Sequence, residues 1–237
     1  MTILALEHVS KTYYRGGRHR LPVLRDITLT VEAGELVAIV ADPTAGKTTL
    51  LRIAAGLEPP DTGTVHVDHR PLPATNDPDP RIALVTRTPP PRETMTMRML
   101  DLVAIPLLEQ MSLGKAHRRV TPMLDALGVG DLASATWGEL SDAERTAIQI
   151  AQAAVRRPLL LLVDNVTTGL GIAHVDAVLG CLRHAADVDR TAVLMTAGSL
   201  DEAAHVDSIY SLSAGSLIAM TTPRQRGRVL DFPAERR

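Results

Sequence analysis

Residues 35–51 read ELVAIVADPTAGKTTLL, and the reading of this stretch decides the fold. Leu36 to Val40 is an unbroken apolar run bounded by Gly34, the pattern of a strand buried on both faces. A short loop, Ala41 to Gly46, interrupts it, and Lys47-Thr48-Thr49 then opens an apolar helical pattern. Strand, tight loop and helix N-terminus in this order form a phosphate cradle, because backbone N–H groups converge there and the helix dipole adds positive potential. Lys47 would reach the β- and γ-phosphates of a nucleotide, and the Thr48 hydroxyl would hold Mg²⁺. The pattern G-x-x-x-x-G-K followed by Ser or Thr is met everywhere except its first glycine, where Ala41 stands.

The bulk properties agree with an α/β nucleotide-binding domain. The 237 residues give room for a large core, and 45% hydrophobic with 22% charged residues is a globular composition. A formal net charge of -2 and very few aromatic side chains argue against a nucleic-acid partner, which needs a basic surface and stacking platforms. Cys181 is the single cysteine, so no disulfide framework exists and a reducing compartment is expected. The N-terminus shows no secretory signal pattern, and no apolar run approaches the roughly 20 residues of a spanning helix. Any contact with a membrane is therefore expected to run through a partner.

Outward from the loop, Ile3 to Val9 and Val23 to Val31 alternate apolar and polar residues as half-exposed strands do, with the polar connection RGGRHRLP between them. A helix is expected from about Thr48 to Ala55, stopped at Gly56, and strands at Gly63 to Val67 and Arg81 to Thr86 with the linker PLPATNDPDP between them. From about Arg98 to Gly138 the spacing turns helical, with Leu100, Val103, Leu107, Leu108 and Met111 on one face, then Met123, Leu124 and Leu127. Gly114 and Gly128 are expected to divide this inserted helical part. Ser141-x-x-Glu144 is a capping box opening a helix to about Arg156. A buried strand, Leu159 to Val163, leads to Asp164; a helix Ile172 to Ala186 and strands Ala192 to Thr196 and Ser208 to Leu212 complete a βα alternation. The expected fold class is α/β: a mainly parallel sheet with helices on both faces and an inserted helical subdomain. One domain is expected over residues 1–222, its helical part at about 92–140, followed by a polar tail at 223–237.

Asp164 at the end of its strand is the second chemical element, since a carboxylate placed there beside a P-loop holds the Mg²⁺ shell. Alone it could equally cap the next loop; with Lys47 and Thr48 upstream the metal role is the better reading. Here the sequence resembles the ATP-binding subunits of ABC transporters over nearly its whole length. The residues that carry this are Tyr13 followed by RGGRHRLP and VLRDI, GLEPPDTGTVHVD after the P-loop helix, LVAIPLL at 102–108, and ELS before the long helix. The lipoprotein-releasing and macrolide-export branch is the most similar. The resemblance implies a P-loop NTPase core of RecA-like type with a mainly parallel sheet, an N-terminal antiparallel β subdomain and an inserted helical subdomain, and ATP with Mg²⁺ as the cofactor. It implies that Tyr13 stacks on adenine, that Ala41, Asp42, Pro43, Thr44, Ala45, Gly46, Lys47, Thr48 and Thr49 wrap the phosphates, and that Thr48 and Asp164 hold the metal. Ser141 matches the signature serine that contacts a γ-phosphate bound by the opposite subunit. Partners implied are an integral membrane permease and a second ATP-binding subunit, which places the chain in the cytoplasm, peripheral on the inner face of the membrane.

The groups that split ATP in that family are replaced here. Asn165 stands where a glutamate polarises the attacking water, and an amide cannot accept its proton at neutral pH. Arg87 falls at the γ-phosphate-sensing glutamine, Gly198 at the switch histidine and Gly171 at the aspartate of the loop after the metal-shell strand. The signature reads Leu140-Ser141-Asp142-Ala143-Glu144, where Asp142 adds bulk and negative charge in place of a glycine. Removing a positioned general base alone costs on the order of 10²–10⁴ in rate. Binding without efficient hydrolysis is expected, with useful turnover needing a heterodimer with an intact paralogue. The alternative is a non-hydrolysing, nucleotide-sensing scaffold or regulator. A GTPase is disfavoured because no N-K-x-D segment follows the loop, and LSDAE speaks against a small-molecule kinase. His66 and His69 read as solvated, Cys181 and Trp137 as packing residues, and Arg15, Arg18, His19 and Arg20 as a solvated loop.

Overall fold

The computed structural model describes residues 1–16, 19–75, 79–86, 91–167, 169–203 and 206–220. Two sheets organise it. The first is antiparallel, with order β2-β1-β4-β5, and is built from β1 (Thr2–Arg15), β2 (His19–Glu32), β4 (Thr62–Val67) and β5 (Arg70–Pro71). The second has order β10-β9-β3-β8-β7-β6, from β3 (Leu36–Val40), β6 (Ile82–Val85), β7 (Leu160–Val163), β8 (Ala192–Ala197), β9 (Ser208–Ser213) and β10 (Ser216–Met220). Every pairing in it is parallel except β9 with β10.

Strand alternation splits the interior into two cores that share this second sheet. Val37 and Ile39 of β3, Leu160 and Leu162 of β7, and Leu194 of β8 face the antiparallel sheet and α1 (Lys47–Ala54). Leu36 and Ala38, Leu161 and Val163, and Val193 and Met195 face the other way, onto α4 (Asp142–Ala154) and α5 (Ile172–Asp187). Both faces are thus apolar because both are covered, which is why these strands read as continuous hydrophobic runs. Gly63 lets β4 close onto β1: its φ is +88°, and a Cβ there would collide with the backbone carbonyl oxygens of Glu7 and His8.

The connection RGGRHRLP is less of a loop than expected. Arg15 pairs with His19 and Tyr14 with Arg20, so β1 and β2 stay paired as far as Arg15 and His19, because cross-strand pairing continues past the last buried position. Arg18 lies outside the described residues; His19 and Arg20 are exposed strand residues. β10 was not expected; it follows a turn at Ala214 and Gly215. Leu159 lies before β7 and is partly exposed rather than part of the buried strand.

The helical part differs from the single face expected. It comprises α2 (Met99–Ala104), a 3-10 turn Ile105–Leu107, α3 (Leu113–Ala126), further 3-10 turns and then α4. Pro106 has no N–H to continue α2, and the tighter turn changes the period from 3.6 to 3. Met99, Leu102, Val103 and Leu107 are therefore the buried set, while Leu108 faces outward. Gly114 lies inside α3 and divides nothing; the break falls just before Leu113. Gly128 does end α3, at φ +70°, with Gly128 N–H on the Asp125 carbonyl and Val129 N–H on the Leu124 carbonyl. Trp137 packs in the helical core, and Cys181 is buried in the same core, its thiol pushed up to about 12 by desolvation.

Candidate functional site

β3 delivers Ala41 to the end of the sheet, where its N–H reaches toward the Ala197 carbonyl of β8. Asp42 to Ala45 forms a turn closed by Ala45 N–H on the Asp42 carbonyl at 3.1 Å, and Asp42, Pro43 and Thr44 are exposed. Gly46 takes φ +101°, a conformation that points its missing Cβ at Val23 and leads the chain directly into α1. No side chain caps α1, and no acidic residue lies in its first turn. The first intrahelical bond is Leu50 N–H to the Gly46 carbonyl, so the amides of Lys47, Thr48 and Thr49 have no acceptor within the helix. This donor set fits a phosphate chain, since unshared amides and an uncapped dipole are what an anion neutralises.

Lys47 is buried, with its Nζ donating to the carbonyls of Ala41 and of Asp42. Desolvation holds its pKa below the ordinary lysine value, while the carboxylates of Asp164, Asp42 and Glu202 favour the ammonium form. Asp164 leaves the C-terminal end of β7, on the same edge of the sheet as the P-loop because β3, β8 and β7 are parallel. Its Oδ1 accepts the Thr196 hydroxyl at 3.0 Å, and that hydroxyl in turn accepts Asn165 N–H at 2.8 Å. Asp164 is thereby oriented, with carboxylate lone pairs left for a metal. Thr48, exposed in the first turn of α1, supplies a hydroxyl of the same hard-oxygen type that suits Mg²⁺. Among the described residues no cluster of three His, Cys, Asp or Glu side chains could hold a metal by itself, so such an ion would depend on the phosphates as well.

Asn165 sits beside this pair in the left-handed region, at φ +53°, which Asn tolerates better than most side chains. Gly198 follows β8 and donates its N–H to Glu202 at 3.0 Å; the same Glu202 oxygen accepts the Thr167 hydroxyl at 2.8 Å. Gly171 is the extended residue before α5. Arg87 lies outside the described residues. Ser141 caps α4 at a site distant in the chain from the P-loop: Glu144 accepts Ser141 N–H at 2.6 Å, and the Ser141 hydroxyl faces Glu144 N–H. The Ser141 contacts hold the Glu144 carboxyl below the usual range. Asp142 is exposed and 3.3 Å from Arg145, whose guanidinium lies over the Trp137 ring.

Tyr13 stands on β1 beside α1. Its hydroxyl donates to Glu58 at 2.6 Å and lies 3.3 Å from the Thr49 hydroxyl; burial first, then the Glu58 contact, raise the phenol pKa. Thr196, Glu202 and Glu58 are the residues the sequence reading did not single out. Thr196 and Glu202 carried no motif signal in isolation. Glu58 was visible only as an acidic residue within GLEPPDTG.

A buried lysine on an uncapped helix start, facing a strand-end aspartate, defines a P-loop nucleotide-binding protein. The family can be stated too: the chain belongs to the ABC transporter family, whose model matches residues 24–168. A lipoprotein-releasing system ATP-binding protein LolD from Cereibacter sphaeroides is 31% identical over 227 residues, covering 91% of this chain and 99% of its own length. A methionine import ATP-binding protein MetN from Myxococcus xanthus is 32% identical, covering 98% of this chain and 74% of the relative. Among solved structures, a dimeric ATP-binding cassette in a post-hydrolysis state with ADP and Pi superimposes with a TM-score of 0.77 at 23% identity. It covers 95% of this chain and all of that one. That likeness establishes the ATP-binding-cassette fold, with its antiparallel sheet, parallel core and helical insert.

Proposed function

We infer that this chain is the ATP-binding subunit of a membrane transporter that holds ATP with Mg²⁺ and has lost most of its capacity to split it. The observation that carries the reading is at the end of β7: Asp164 keeps its orienting Thr196 contact, while the next side chain is the amide of Asn165. Lys47, the free amides of α1, Thr48 and Asp164 would hold the triphosphate and metal, and Tyr13 would stack on the base. The metal would neutralise phosphate charge. Nothing at Asn165 or Gly198 would take a proton from water at neutral pH. Asp142 at the signature would face a γ-phosphate bound by the partner subunit and repel it. A second, intact ATPase subunit is therefore the partner this chain calls for, since its own P-loop, glutamate and histidine would form one complete site against Ser141.

No helix among the described residues is long and apolar enough to cross a membrane. A groove of about 480 Å³ beside β6 is lined by Val85, Thr86, Pro106, Gln149, Gln152 and Arg156. It favours docking of a permease segment between the parallel core and the helical part, which would hold the chain at the cytoplasmic face of the membrane.

The test is Mg²⁺-dependent ATPase activity of the purified chain beside equilibrium binding of ATP. Binding with negligible turnover is expected, and turnover should appear when an intact paralogous subunit is added. Robust turnover of the chain alone, abolished by Lys47→Ala, would overturn the reading. ATP binding with neither a permease nor a second ATPase co-purifying would instead favour a nucleotide-sensing regulator.

A further inference from the structure

Glu58 lies in the connection after α1, and its side chain is only 16% exposed. Three groups converge on it. The Tyr13 hydroxyl donates to Oε1 at 2.6 Å, Lys11 Nζ is 3.4 Å from the same oxygen, and Arg52 Nε donates to Oε2 at 3.3 Å. Lys11 is itself held by the Pro59 carbonyl at 2.6 Å and by Asp61 at 3.5 Å, and its ammonium stands 5.8 Å from the centre of the Tyr13 ring. One side of that ring therefore faces a fixed cation. The ring's edge is pinned at its hydroxyl, to Glu58 and to Thr49 of the first turn of α1.

We propose that Glu58 is a positioning residue for nucleotide: it locks the Tyr13 ring in register with the phosphate-binding amides of α1, so that the base and the triphosphate are met by one preorganised unit. The proposal rests on the nucleotide-holding reading above. The physical reasoning is that a tyrosine at a strand end loses rotamer freedom when it stacks on a ligand, and that loss weakens binding. A short hydrogen bond to a carboxylate, stronger than a neutral one, removes the loss beforehand. The Lys11 ammonium and the Arg52 guanidinium hold the carboxylate in place. The effect concerns the base, because the contacts of Glu58 run to Tyr13, Lys11 and Arg52 and not to the loop 41–46 or Lys47.

Equilibrium titration with two probes, ATP and inorganic tripolyphosphate, each with Mg²⁺, separates positioning from general structural support. Glu58→Ala should weaken ATP binding by up to about ten-fold, the cost of ordering the released Tyr13 side chain on binding, and leave tripolyphosphate within about two-fold. Tyr13→Phe, which keeps the ring and all other partners of Glu58, should weaken ATP by a similar factor, and the double substitution should add nothing further. Glu58→Gln, whose amide oxygen still accepts the phenol, should restore most of the affinity. Equal losses for both probes, unchanged ATP binding in Tyr13→Phe, or additive losses in the double variant would each overturn the proposal. Should Glu58→Ala fail to fold, Tyr13→Phe and Glu58→Gln still decide it. A wild-type chain that binds neither probe overturns the nucleotide-holding reading itself. One that binds tripolyphosphate as tightly as ATP overturns only the role of Glu58 and Tyr13.

Discussion

The loop that would hold phosphate and the two loops that would act on it lie on one edge of the same sheet, yet they differ in what they are made of. Residues 41–49 offer backbone: amides of a helix start, a left-handed Gly46, and a lysine whose ammonium is held by carbonyls. Residues 165–171 and 198–202 would have to offer side-chain chemistry, and there Asn165, Gly171 and Gly198 stand. A cradle of backbone amides survives substitution at most of its positions, since Ala41 and Thr44 alter no donor. A general base disappears with one side chain. The neighbouring scaffold is in place: Thr196 bridges Asp164 to Asn165, and Glu202 joins Thr167 to Gly198. On the proposed reading architecture and reactivity would be separable in this fold, and substitutions can test how far.

The largest effect is expected from removing the holding side. Lys47→Ala should weaken ATP–Mg²⁺ binding by about 100-fold or more in calorimetric titration, because it deletes the only buried cation in the loop. Binding that persists unchanged would place the nucleotide elsewhere and dissolve the comparison. The converse experiment rebuilds the acting side. Asn165→Glu with Gly198→His, assayed with an intact partner subunit or with glycines at Asp142 and Ala143, should raise Mg²⁺-dependent turnover by about 10²-fold. The left-handed φ of residue 165 favours Asn over Glu, so a stability loss of about 1 kcal/mol should accompany the gain.

Smaller effects probe the shared scaffold. Thr196→Val leaves Asn165 N–H and the Asp164 carboxylate without their common partner, and should cost about 1–3 kcal/mol, a fall of several degrees in the thermal unfolding midpoint. Glu144→Ala removes half of the capping box on α4 and should cost only about 0.5–1 kcal/mol, since the pair is largely solvated. The folded-state pKa of Glu144 is depressed, so its contribution is present above the ordinary glutamate value and is lost as pH falls through the folded one. The gap between wild-type and variant unfolding midpoints should therefore close below about pH 4. A gap that widens in acid would show that Glu144 acts as something other than a charged cap.

Much of this was legible in the chain. The P-loop strand, the helix behind it, the Ser141 capping box and the Asp164 strand each declare themselves within a few consecutive residues. What was misjudged lies at a few particular residues. Pro106 changed the helical period and turned Leu108 outward, Gly114 proved compatible with a helix interior near its start, and the hairpin continued through a segment that composition marked as a loop. Propensity describes single positions, whereas these outcomes were set by cross-strand pairing and by the packing of Met99, Leu102 and Leu107 into the core.

By itself the sequence determined residue types at fixed spacing, a P-loop with Lys47 and Thr48 and a strand-end Asp164, and its resemblance pointed to the ABC transporter family to which the chain belongs. Asn165 and Gly198 are the residues on which the proposed loss of hydrolysis rests. Only the tertiary structure decided which distant residues serve the site. Thr196, 32 positions beyond Asp164, orients it; Glu202 ties together the loops after β7 and β8; and Glu58, 45 positions beyond Tyr13, anchors that ring. Those partnerships arise where parallel strands end on a common edge and where a hairpin packs against α1. No periodicity along the chain encodes them, because hydrogen bonds between separate elements exist only once the sheets have brought the elements together.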